Sequence, residues 1–144
     1  MLKEDYVSFE VAKLLKEKGF DEPCRSYFIS DLGDYRRCAV DITSKNCSSE
    51  QILMPTHQMA RRWLREVHNV FIEVCLCWSE NPREFPPQYY ALILDTKTGN
   101  SLVKISDCKD GLNPIADKCA FPKYFTKYDE AVEKALEYSL EKLI

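Results

Sequence analysis

The chain has 144 residues, of which 45% are hydrophobic and 30% charged, and a formal net charge of −3 at pH 7. That length suits one domain, 1–144, with a core of useful size, and the composition excludes wholesale disorder. The acidic balance excludes a globally basic nucleic-acid binder, although residues 51–100 balance to zero between negative flanks and leave room for a local patch.

The first predicted element is a helix over 9–18. Ser8 is its natural N-cap, Val11, Leu14 and Leu15 form an apolar stripe, and Gly19 ends it in the left-handed position with Phe20 folding back toward Leu15. Strands over 24–30 and 38–43 follow, joined by the turn material Asp31-Leu32-Gly33-Asp34. Residues 44–50 read as a polar connection.

Residues 55–69 form the most informative stretch, an amphipathic helix capped by Thr56 with Pro55 at its entrance. At about 100° per residue, Met59, Ala60, Trp63, Leu64 and Val67 fall on the packing face. His57, Gln58, Arg61, Arg62, Arg65, Glu66, His68 and Asn69 are assigned to the outer face. Like charges at Arg61, Arg62 and Arg65 oppose the isolated helix, and Glu66 relieves Arg62 at i, i+4. Solvated charge is the default for such a face. Contact with phosphate or an acidic partner is the sharper reading, because the arginine fork donates two parallel hydrogen bonds.

The strand over 70–78 is nearly continuous in apolar residues. Its pattern suits a central strand covered on both sides, with Val70, Ile72, Val74, Leu76 and Trp78 on one face. Pro82, Pro86 and Pro87 make 79–88 a loop. Strands over 89–95 and 101–105 form a second hairpin around Lys97-Thr98-Gly99-Asn100. Residues 106–125 show no periodicity and read as a long irregular loop. A last helix begins at a Thr126 cap, with Val132, Ala135, Leu136, Leu140 and Leu143 as its buried stripe. Glu130, Glu133, Glu137 and Glu141 form an acidic ridge opposite, in which Lys134 supports Glu130.

The order α-β-β-α-β-β-β-α predicts an α+β fold, with three helices packed on a mostly antiparallel sheet of about five strands. No run approaches the roughly 18 apolar residues of a membrane span, and the opening Met-Leu-Lys-Glu-Asp-Tyr has no signal-peptide core, so a cytoplasmic location is expected. Seven cysteines at irregular spacing favour free, mostly buried thiols over a disulfide framework. Cys75 and Cys77 share a strand face with Glu73, but a metal site would need further ligands from Cys108 or Cys119. No metal or cofactor is therefore expected. His57 and His68 stand about 16 Å apart along one helix, too far to chelate one ion.

Three stretches carry a resemblance: Phe9-Glu-Val-Ala-Lys-Leu-Leu-Lys-Glu-Lys-Gly-Phe20, the Pro55-Thr56 to Glu66 segment around Trp63, and Tyr128-Asp-Glu-Ala-Val-Glu-Lys-Ala-Leu-Glu-Tyr138. Together they resemble a group of small uncharacterised bacterial proteins often carried by prophages or mobile elements. The resemblance implies an accessory protein of such an element and no specific activity. The leading expectation is thus a non-catalytic accessory or binding protein that meets a protein partner or itself. The first alternative is a nucleic-acid-binding module using Arg61, Arg62 and Arg65. A helix-turn-helix is disfavoured, because no helix precedes this one across a short turn. The second is a small Mg-dependent nuclease. Leu92-Ile-Leu-Asp95-Thr96-Lys97 has the apolar-strand, Asp-x-Lys form of one large nuclease superfold, with Glu73 or Asp41 as the second carboxylate. The competing reading of Asp95–Asn100 is a plain polar turn.

Overall fold

Ser8 does cap the first helix in the computed structural model, which describes residues 4–29, 31–77, 83, 88–105 and 125–144. Its hydroxyl accepts from the Val11 N–H at 3.2 Å and opens α1 (Phe9–Glu17). Gly19 sits at φ +87°, which lets the Gly19 and Phe20 N–H groups turn back onto the carbonyls of Lys16 and Leu15 at 3.1 and 2.9 Å. The turn buries Phe20, whose ring meets Trp63 edge-on at 5.5 Å between centroids.

Next, β1 (Cys24–Phe28) and β2 (Tyr35–Ile42) form the first hairpin, closed by an Ile29 N–H to Asp34 carbonyl bond of 2.8 Å. The polar connection that follows holds a 3-10 turn, Ser44–Asn46, and leads into a short strand, β3 (Ile52–Leu53), on the other edge of β1. Two residues are too few for alternation to show in a sequence.

α2 (His57–His68) opens on the Thr56 hydroxyl, which accepts from the Met59 N–H at 3.2 Å. It closes on Asn69 at φ 58°, a left-handed residue that turns the chain at once into β4 (Val70–Cys77). β5 (Gln88–Asp95) and β6 (Ser101–Ile105) complete the second sheet.

Among the described residues the strands form two antiparallel sheets of three, ordered β2-β1-β3 and β4-β5-β6, instead of one sheet of about five. The architecture is α+β, as the element order implies. One strand assignment changes: β5 is central, and β4 is an outer strand among the described residues. Its apolar stripe is buried only at Val70 and Ile72, with Leu76 exposed and Trp78 outside the described residues. The other face carries the exposed Glu73, so β4 is covered on one side.

α3 (Tyr128–Tyr138) runs on into a π-helical turn, Ser139–Leu143. Lys127, without a side-chain bond, holds the N-cap position. The helix starts one residue later than the Thr126 cap requires, which leaves that hydroxyl a position too early for the N2 and N3 amides. The predicted stripe is otherwise realised: Val132, Ala135, Leu136 and Leu140 are fully buried, and Leu143 packs against them. Ser139 resolves its burial by donating to the Ala135 carbonyl at 2.7 Å. Residues from all three helices and both sheets meet in one core cluster, where each large apolar side chain contributes roughly 1.5–3 kcal/mol.

Candidate functional site: an arginine-lined cleft

The inner face of α2 is set by Ala60, Trp63 and Leu64, all buried. His57 belongs with them. It lies seven residues before Leu64, two turns along the same face, and is 8% exposed, which corrects its assignment to the outer face. Val67, assigned to the packing face, is 54% exposed in the last turn of the helix.

His57 Nε2 lies 2.7 Å from Glu133 Oε2, and Glu133 Oε1 accepts from the Ser8 backbone N–H at 2.9 Å. One carboxylate therefore ties the first turn of α2 to α3 and to the cap of α1. Glu133 leaves the acidic ridge, in which the sequence pattern had placed it with Glu130, Glu137 and Glu141. Burial pushes its pKa up, but hydrogen bonds from His57 and Ser8 outweigh that and hold it below the ordinary 4.5. Lys134 pairs with Glu137 at 3.3 Å and not with Glu130.

The three arginines have separate roles. Arg61 Nη2 donates to the Ile72 carbonyl at 2.7 Å and Nη1 to the Tyr128 hydroxyl at 3.1 Å. The Asn69 carbonyl bonds the Thr96 N–H, so in antiparallel alternation the carbonyl of Ile72 points away from β5. Arg61 thus occupies the outer edge of β4, as inward-held charges on edge strands do. Arg62 Nε bonds Glu66 Oε1 at 3.0 Å, and Arg65 Nη2 reaches the same oxygen at 3.7 Å. Those two are exposed ion pairs, which contribute only about 0.2–1 kcal/mol and exchange readily.

All three arginines line one cleft of about 610 Å³. Phe71 and Ile72 of β4, with Tyr128 and Val132 of α3, supply its other walls. Thr56, His57 and Gln58 lie at one end beside Glu4 and Asp5. Asp5 is held there because its carbonyl accepts from the His57 N–H at 2.8 Å. The volume falls in the range of small-ligand and peptide-side-chain sites, with a few convergent polar groups over apolar walls.

The Asp95-Thr96-Lys97 segment is a turn. Asp95 Oδ1 accepts from the Lys97 N–H at 2.9 Å, its carbonyl from Gly99 at 2.8 Å, and Gly99 takes φ +72°. Asp95 stands opposite Val70 and Glu73 opposite Leu92, an odd offset that sends the two carboxylates to opposite faces of the sheet. Asp41 lies in the other sheet, paired with Arg25 at 3.0 Å. Among the described residues no three His, Cys, Asp or Glu side chains cluster as metal ligands would.

Cys24, Cys38 and Cys47 are free thiols. Burial, with Asp41 adding to it, pushes the Cys24 thiol up to about 12, and burial raises Cys47 as well, so neither supplies thiolate near neutrality. The Cys77 side chain, Cys108 and Cys119 lie outside the described residues, as does the 106–125 segment apart from Phe125. Phe125 returns to the sheet, exchanging backbone bonds of 2.7 and 2.8 Å with Tyr89.

Comparison of the chain with protein-family models, curated proteins and solved structures finds no match. No helix among the described residues is long and apolar enough to cross a membrane.

Proposed function

We propose that this chain is a non-catalytic binding protein, and that the cleft of Arg61, Arg62 and Arg65 receives an anionic group of a protein partner. One observation carries the reading: three arginines adjacent on α2 line a single concave site, with one held rigidly and two on exchangeable ion pairs. Arg61 is pre-positioned by Ile72 and Tyr128, so little freedom is lost when it meets a ligand. Among the described residues, His57 and Asp95 have structural partners, the first in Glu133 and the second in its own turn. The helix signatures support the setting of an accessory protein from a mobile element.

Binding of a labelled peptide carrying a single glutamate, and of single-stranded DNA, duplex DNA and RNA, at low and moderate salt tests this. The comparison is wild type against an Arg62→Glu, Arg65→Glu variant. Arg61 is left intact because it also supports the edge of β4. Salt-sensitive binding of the peptide, weakened at least about tenfold in the variant, is the expected result. Preferential binding of the oligonucleotides would move the assignment to a nucleic-acid module on the same arginines. Binding that ignores the variant would remove the cleft from consideration.

A further inference from the structure

The cleft has two poles. Glu4 and Asp5 sit at the end where α2 begins, Asp5 pinned beside His57 and Glu4 accepting from the Tyr6 hydroxyl at 3.3 Å. Arg65 lies eight residues beyond His57, about 12 Å along the helix axis. There Arg62 and Arg65 share the single carboxylate of Glu66, which leaves a net positive charge. The walls between the poles are Ile72, Val132 and the Arg61–Tyr128 pair.

A polyanion fits this charge pattern poorly. Successive phosphates on one strand advance about 3.4 Å along a duplex, so a 12 Å track carries three or four, and those nearest Glu4 and Asp5 are repelled. A symmetric dimer through this face would set one concave cleft against another and fill neither. An extended peptide matches the span. Residues i and i+4 of a strand point to the same side and lie about 13 Å apart.

We infer that the cleft binds an extended peptide segment bearing a basic side chain and, four residues away, an acidic side chain, the base meeting Glu4 and Asp5 and the acid meeting Arg62 and Arg65. This rests on the proposal that the arginine cleft is the binding surface, and it names the partner's chemistry. It also explains why a charged cleft occurs on a chain with no basic excess: the site selects a charge pattern over total charge.

The test uses two pooled pentapeptides, acetyl-Lys-Xaa-Xaa-Xaa-Glu-amide and acetyl-Glu-Xaa-Xaa-Xaa-Glu-amide with the central residues randomised, and a twelve-residue thymidine oligonucleotide. Each is titrated against wild type, a Glu4→Gln, Asp5→Asn variant and the Arg62→Glu, Arg65→Glu variant, all changed at exposed positions. Wild type is expected to prefer the Lys/Glu pool over the Glu/Glu pool by about fivefold, and the Glu4→Gln, Asp5→Asn variant to lose that preference. Equal binding of the pools by wild type, or tighter binding of the oligonucleotide, overturns the bipolar site. If such binding still disappears in the arginine variant, the arginine cleft stands. Absence of binding, or binding that survives in the arginine variant, removes both.

Discussion

The two ends of α2 put charge to opposite uses. At its first turn His57 and Glu133 meet at 2.7 Å with side chains only 11% and 22% exposed, and Glu133 also holds the cap of α1. Two turns on, Arg62 and Glu66 meet at 3.0 Å with side chains 70% and 53% exposed. Distance hardly separates the two pairs, but surroundings do. A hydrogen-bonded carboxylate shielded from water becomes a joint between elements, and breaking it leaves buried polar groups without a partner. A pair in water is held weakly and can be traded for a ligand. The scaffold of the cleft and its working surface are thus built from the same kinds of residue in different dielectric environments.

The largest effect is expected at the joint. Glu133→Ala strands His57 and the Ser8 amide and should lower unfolding stability by about 2 kcal/mol, read as a shift in denaturant midpoint. A change below about 1 kcal/mol would place the pair with the exposed ones. Removal of the α2 cap by Thr56→Ala, which loosens the same end of the helix, is expected to lower stability by about 1 kcal/mol. On the arginine side, Glu66→Ala should change stability by less than about 1 kcal/mol while strengthening anion binding, since it frees Arg62 and Arg65. Equal destabilisation by Glu66→Ala and Glu133→Ala would erase the distinction.

A subtler contrast is in pH. Glu133 is held below its ordinary 4.5, so the stability it contributes is fully present above that value and fades as pH falls through the lower folded value. Wild type should therefore lose stability more steeply below about pH 4.5 than Glu133→Gln does. Parallel acid limbs in the two proteins would contradict the assignment of the carboxylate.

Local features were readable without a structure. The Ser8 and Thr56 caps, the left-handed Gly19, both hairpins and the buried stripe of α3 depend on neighbours within a few residues, and each is present, although β2 begins at Tyr35 instead of residue 38. The arginine trio was visible for the same reason. The joint beneath it was not, because 76 residues separate His57 from Glu133 and no periodicity links them. A stricter reading of the helix wheel would have placed His57 above Leu64. Nothing in the residues announced that Arg61 would hold the outer edge of β4, that the strands would divide into two sheets, or that Glu4 and Asp5 would close the cleft. Those depend on how elements stack, which the long-range contacts decide.

The most decisive measurement is peptide binding by the Arg62→Glu, Arg65→Glu protein, taken together with its denaturation midpoint. The account predicts binding weakened at least about tenfold at a midpoint within error of wild type. Undiminished binding, or a loss of binding that comes with a collapse in stability matching Glu133→Ala, would contradict the division between a structural joint and an arginine binding surface.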